Sequence, residues 1–246
     1  MQIEGRQAVL TALQKGQQIE KITLLRSAHG QIIKEILQLA REQRIPVVQL
    51  DRNKLDQIGK THNHQGVIAL APAWSYTDFS ELLHKCRTKE GVAPFIVILD
   101  HIKDPHNFGS IIRTADAAGV DGIIIPQRRS VGITEVVVKV SAGAVSAVPI
   151  VRVTNLSQTI DELKDKGFWI IGTDAEGKQE IYDVDLTIPI ALLIGSEGQG
   201  IGRALAQKSD HLTKLPMGGE VTSLNAAVAA GVCMFEVVRQ RRLKSE

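Results

Sequence analysis

Cysteine is scarce. Cys86 and Cys233 are the only two in 246 residues, far apart, with neither a CxxC pair nor a Cys/His cluster nearby. A disulfide framework and a structural zinc site are therefore not expected, and a reduced, cytoplasmic setting is. Long apolar runs are missing too: no uninterrupted stretch reaches the roughly 20 residues that a membrane-spanning helix needs. MQIEGRQAVL opens on an amphipathic pattern instead of a basic flank and an apolar block, so no secretory leader is expected. The standard Gly-rich motifs fail in turn. No G-x-x-x-x-G-K-[ST] occurs, which excludes a P-loop as a motif. GSEGQGIG at 195–202 stops short of G-x-G-x-x-G and follows a late strand, which disfavours a dinucleotide fold. Serine directly follows its first glycine, so there is no G-x-S-x-G elbow.

What is present is ample apolar content, 43%, and an uneven charge. Residues 1–72 hold 10 Lys+Arg against 6 Asp+Glu, and the remainder 19 against 21. A basic first part fits a polyanionic partner and also an ordinary charged surface.

Along that first part the pattern predicts a helix over 5–14, a strand over 21–27, a helix over 30–43, a strand over 46–50, a helical piece over 53–58 and a strand over 64–72. This makes a small α/β unit over 1–73. Its KTHNHQG loop carries Lys60, His62, Asn63 and His64. No carboxylate or cysteine accompanies the two histidines at ligand spacing, so no metal is expected. The loop suits RNA backbone and unstacked bases, or is a plain solvated loop.

Residues 74–93 read as a linker with one amphipathic helix, and 94–246 as a second domain. PFIVILD and GIIIP are buried parallel strands around a loop, HIKDPHN, and a helix over 108–119. Further strand and helix repeats follow, so a parallel sheet covered by helices is expected. Asn107 reads either as the N-cap of that helix or as a catalytic group. Arg113 lies opposite the helix's apolar face among Gly109, Thr114 and Ala117, which leaves a solvated arginine or one that another chain or substrate can approach. Arg128 and Arg129 are a basic pair that can neutralise phosphate. Glu197 reads as a partner for the following helix's N-terminus, and Thr222 and Ser223 as caps for the last helix. That helix, predicted over 224–240, is apolar nearly all round and needs cover on both sides. The tail RQRRLK reads as a solvated basic end.

DPHNFGSIIRTADAAG at 104–119, LLIGSEGQGI at 192–201 and LPMGGEVTSLNAAVAAG at 215–231 together resemble the SpoU (TrmH) family of S-adenosylmethionine-dependent RNA 2′-O-ribose methyltransferases. GRQAV and HQGV in the first part resemble the family's small substrate-binding domain, similar to kink-turn-binding ribosomal proteins. PQRRSVG makes the RlmB subgroup, which methylates a guanosine in the peptidyl-transferase region of 23S rRNA, the nearest likeness. The resemblance implies a C-terminal trefoil-knot (SPOUT) domain and a homodimer whose site uses both subunits. It implies a catalytic set of Asn107, Arg113, Glu197, Ser223 and Asn225. The cofactor would lie around Thr173, Gly195, Leu215, Met217 and Leu224, and RNA would meet Arg6, Lys60, His64, Arg128 and Arg129.

Overall fold

The computed structural model describes residues 2–245 apart from Gln18, His62, Pro72, Ala73, Lys89, Glu90 and Val221, and not the side chains of Thr88 and Ser245. The metal reading of His62 thus lies outside the described residues. Among them, no three His, Cys, Asp or Glu side chains come together as a metal site, and no helix is long and apolar enough to cross a membrane. The chain forms two compact units, residues 1–75 and 76–246.

The first unit runs β1 (Gln2–Glu4), α1 (Arg6–Gln14), β2 (Lys21–Leu25), α2 (Gln31–Glu42), β3 (Val47–Leu50), α3 (Arg52–Ile58) and β4 (Val67–Leu70). Its four strands are ordered β1-β4-β2-β3, with only the β2 and β3 pair parallel. Alternation along β2 and β4 sends Ile22, Leu24, Val67 and Ala69 to one face, where they pack with Val9, Leu13, Ile33 and Ile36 of α1 and α2. Strand β1 escapes a sequence reading because three residues are too few to show a period of two.

The second unit begins with α4 (Phe79–Thr88), β5 (Phe95–Leu99), α5 (Pro105–Ala117), β6 (Gly122–Pro126), α6 (Glu135–Val140), β7 (Ile150–Val153), α7 (Leu156–Asp165) and β8 (Trp169–Thr173). It continues with β9 (Gln179–Glu180), β10 (Ile190–Ile194), α8 (Arg203–Ala206), β11 (His211–Lys214) and α9 (Ala226–Ser245). All seven strands are parallel, in the order β7-β6-β5-β10-β8-β11-β9. Strands β5 and β10 are buried along their whole length, which explains their unbroken apolar sequences. Ile96, Ile98, Leu193 and Ile170 face Leu82, Cys86, Ile160 and Leu205. Helix α4 is therefore part of this unit's core and not a free linker. Over the other face, α5 and α9 pack on each other. Helix α9 thus follows β11 in the chain but packs on α5 and β10, on the far side of β8 in the strand order.

The basic tail is not all solvated. Arg241 donates to the carbonyls of Leu186 (3.1 Å), Ala93 (2.5 Å), Pro94 (3.2 Å) and Ile188 (3.0 Å), with its cation 5.4 Å from the Phe95 ring centre. Burial pulls the guanidinium below its ordinary pKa. One arginine thus ties the end of α9 to the loops entering β5 and β10. Arg241→Met should lower unfolding free energy by about 3 kcal/mol, because several carbonyls lose a charged donor at once. Exposed Arg242→Met should leave urea midpoints unchanged.

Candidate active site

The first helix turn of the site is set by Asp104. Its carboxylate accepts from the amides of His106 (3.1 Å) and Asn107 (3.3 Å), and Pro105 occupies the first helical position, where a missing N–H costs nothing. Helix α5 therefore starts three residues earlier than the predicted 108. Asn107 is not the cap; it lies inside the first turn with its side chain free for other work. The Asp104-Pro105 pair was itself a legible start signal.

At the head of α9 the cap is Asn225, not Thr222 or Ser223. Its Oδ1 accepts from the amides of Ala227 (3.0 Å) and Val228 (3.2 Å), which turns its Nδ2 outward. That nitrogen donates to Asn107 Oδ1 at 2.9 Å and to Glu197 Oε1. Asn107 Nδ2 donates to the same Glu197 oxygen at 3.1 Å, and the Ala226 amide reaches it at 3.2 Å. Glu197 does meet a helix N-terminus, but that of α9 and not of the helix next in sequence. Its charge sits where helix dipoles favour an anion. Three residues from three separate segments thus form one cluster.

Glu197 stands at the tip of a tight loop. Ser196 and Gly200 exchange backbone hydrogen bonds of 3.1 and 2.9 Å, and Gly198 and Gly200 adopt φ of 76° and 62°, which favours glycine at both. The arms touch so closely that a Cβ on Gly195 would lie 2.1 Å from the Gly200 carbonyl carbon.

The loop follows β10, and parallel register aligns Ile194 with Leu99 of β5 and Thr173 of β8, while Thr213 of β11 also pairs with Thr173. Thr173, Gly195 and the segment holding Leu215, Met217 and Leu224 therefore emerge side by side at the carboxyl edge, where open parallel sheets take ligands. Thr173 Oγ1 donates to Leu193 O at 3.3 Å, and Met217 and Leu224 are exposed. Apolar side chains left open beside bare loop backbone fit an adenosyl group, which needs a flat apolar contact and backbone polar groups. A concavity of about 480 Å³ lined by Lys85, Asp116, Asp121 and Val148 lies at the opposite edge and has no part in this arrangement.

Other expected residues are placed differently. The Arg113 side chain is exposed and makes no hydrogen bond among the described residues. It is six residues beyond Asn107, roughly 9 Å along the helix, and the chain does not bring it into the cluster. Gly109 does not open a path to a partner: a Cβ there would be 2.7 Å from Val140 Cβ of α6. Ser223 is exposed, as are Arg128 and Arg129 beyond β6. In the first unit Arg6 donates to the carbonyls of Gln65 (3.0 Å) and His29 (3.2 Å), stapling two loops. His64 is buried. Its Nδ1 accepts from the Gly66 amide at 3.1 Å, so Nε2–H donates to Asp56 at 2.8 Å. Its ring holds the loop, while Lys60 stays exposed and its amide bonds Glu4 at 2.6 Å. Cys233 is buried, which pushes its thiol up to about 12, so it stays protonated at neutral pH.

The SpoU rRNA Methylase family matches residues 94–235, and a domain described as RNA 2′-O ribose methyltransferase substrate binding matches residues 2–77. YacO of Bacillus subtilis, named for the TrmH family of tRNA/rRNA methyltransferases, is 45% identical over 237 residues, covering 96% of this chain and 94% of its own. The SpoU methyltransferase AviRb from Streptomyces viridochromogenes, solved with the cofactor AdoMet, superposes with a TM-score of 0.63 at 27% identity, over 99% of this chain and 91% of that one. The AdoMet-bound rRNA methyltransferase of Sinorhizobium meliloti gives 0.61 at 28% identity, over 97% and 86%. Fold, site and substrate-binding unit together define an RNA 2′-O-ribose methyltransferase. The chain belongs to the SpoU family, also called TrmH.

Proposed function

We propose that the protein transfers a methyl group from S-adenosylmethionine to the ribose 2′-OH of a guanosine in the peptidyl-transferase region of 23S rRNA. The observation that carries the chemistry is the convergence of Asn107, Glu197 and Asn225 beside the carboxyl edge of β8, β10 and β11. The PQRRSVG segment after β6 supports the guanosine target, and the basic first unit supports a structured RNA.

Thr173, Gly195, Leu215, Met217 and Leu224 would hold the cofactor, whose sulfonium methyl is a ready electrophile when bound. The protein's share is then to orient the ribose and manage one proton. Orientation contributes on the order of 7 to 11 kcal/mol in such reactions. Glu197 fixes Asn107 and Asn225, and through them the heads of α5 and α9. Arg113, on the same helix as Asn107, is the residue assigned to the hydroxyl. A guanidinium keeps its protons in proteins, so its accessible role is to donate to the 2′-oxygen or the adjacent phosphate. Of the five residues expected to meet RNA, Lys60, Arg128 and Arg129 are exposed cations; Arg6 and His64 support the loops that carry such contacts.

The working unit is a homodimer in the cytoplasm. Val228, Val232 and Phe235 form one exposed apolar stripe on α9, at the four- and three-residue spacing of a single helix face. Phe235→Glu should convert dimer to monomer in sedimentation velocity and raise the dimer Kd by about 100-fold, as expected for a central apolar anchor. Wild-type protein sedimenting only as a monomer at micromolar concentration would refute the dimer.

The decisive experiment is methyl transfer from labelled S-adenosylmethionine to unmodified large-subunit rRNA and to tRNA, with the products mapped. Label at a guanosine of 23S rRNA supports the reading. Label confined to tRNA would establish the alternative that the tRNA/rRNA naming of YacO leaves open.

A further inference from the structure

Two carboxylates outside the Asn107–Glu197–Asn225 cluster fasten the loop between β10 and α8. Asp100 is the first residue beyond β5, and only 1% exposed. Its amide donates to Ile194 O at 2.8 Å, which sets it beside the last residue of β10. Its Oδ2 accepts from the Gly202 amide at 2.9 Å. The other oxygen lies against His101 Nδ1 without the alignment of a hydrogen bond. Asp174, the first residue beyond β8, has its amide on Thr213 O at 2.8 Å. Its Oδ2 accepts from the Ile201 amide at 3.3 Å, and its Oδ1 from Glu176 at 3.0 Å.

Successive amides, 201 and 202, are thus taken by carboxylates from the two strands that flank β10. Burying a carboxylate costs several kcal/mol unless hydrogen bonds offset it, and Asp100 bonds the loop directly. The exit of the loop is fixed from both sides, its arms are bonded through Ser196 and Gly200, and its tip is Glu197. A shift of the exit would travel to the tip, because close contact of Gly195 with Gly200 leaves no slack.

We propose that Asp100 is a positioning residue for methyl transfer. Acting through the Gly202 amide, with Asp174 on Ile201, it holds residues 195–202 so that Glu197 meets Asn107 and Asn225 and the Gly195 backbone faces the cofactor cleft. This rests on the placement of Glu197 and Gly195 in the site under the proposed function.

The test uses full-length protein carrying Asp100→Ala, Asp100→Asn, Asp174→Ala, Glu197→Gln and the Asp100→Ala/Glu197→Gln pair. Hydrogen exchange is read first, without cofactor or RNA. Asp100→Ala should speed exchange of the 195–202 amides at least about tenfold while β5 and β10 stay protected. Asp174→Ala, at a half-buried carboxylate, should loosen the same segment and carries the test if Asp100→Ala does not fold. In methyl transfer, Asp100→Ala should lower kcat roughly 100-fold, the order expected of a misplaced reacting group. On the Glu197→Gln background it should cost less than about threefold more, since residues acting as one unit are not additive. Asp100→Asn, which can still accept from Gly202, should recover most of both readouts. Unchanged exchange in the alanine variants, or losses at Asp100 and Glu197 that multiply in full, would overturn the proposal. Wild-type protein that transfers no methyl to RNA would defeat the proposed function and leave the exchange result to judge the clamp.

Discussion

Arg113→Ala is expected to lower kcat for RNA methyl transfer by roughly 10² to 10⁴-fold, with affinity for S-adenosylmethionine in calorimetry kept within about threefold. The size follows from the role proposed for Arg113, which is to donate to the 2′-oxygen or the adjacent phosphate and so stabilise the charge that develops as the hydroxyl loses its proton. The clean separation follows from its surroundings. Arg113 is exposed and the only arginine or lysine on α5, and its side chain makes no hydrogen bond among the described residues. Its removal breaks no contact that holds the fold, so the melting temperature should move by no more than about 2 °C. A rate loss is then a loss of function and not of structure. Arg113→Lys divides the two roles left to a guanidinium. Lysine supplies charge but not the planar fork, so recovery of rate would point to a charge on phosphate, and continued loss to a directed hydrogen bond on the hydroxyl. Near-normal transfer by the alanine variant, with cofactor bound, would sink the assignment.

The contrast between Arg113 and Arg241 shows where sequence reading stops. Both sit in basic or mixed helical stretches with nothing local to tell them apart. Arg113 stays in solvent, while Arg241 meets carbonyls from residues more than fifty positions away. Periodicity reports which face of a helix is apolar, not what lies opposite its polar face. The same limit applies to the sheet. The runs FIVIL and IALLI announced two buried strands, yet nothing in them says that they are neighbours, or that β11 inserts between β8 and β9. At the site, resemblance supplied Asn107, Glu197 and Asn225, which stand 90 and 28 residues apart. Local reading gave Asn107 a capping role that Asp104 holds, because Asn and Asp before a helix compete for one position and Pro105 decides it. His64 looked like an RNA ligand for want of any sign that Asp56 and Gly66 would take both ring nitrogens.

Gly195→Ala should abolish measurable methyl transfer, weaken S-adenosylmethionine binding by at least about 100-fold, and cost on the order of 2 to 3 kcal/mol in stability. The added Cβ would stand 2.1 Å from the Gly200 carbonyl carbon, 2.3 Å from its oxygen and 2.4 Å from the Ile201 nitrogen. Every obstacle is backbone, so no side-chain rotation relieves it. The opposite arm cannot retreat, since Ser196 and Gly200 are bonded to each other and the next two amides are held by Asp174 and Asp100. The remaining escape is to open the hairpin, which moves Glu197 away from Asn107, Asn225 and the head of α9. One methyl group therefore strikes the proposed cofactor cradle and the polar cluster together, and the two losses should appear together. Gly218→Ala is the matching control for stability, because a Cβ there meets nothing within 4 Å. A Gly195→Ala protein that melts like wild type and still binds cofactor would mean that the arms part freely, and the link from loop backbone to Glu197 would fall with it.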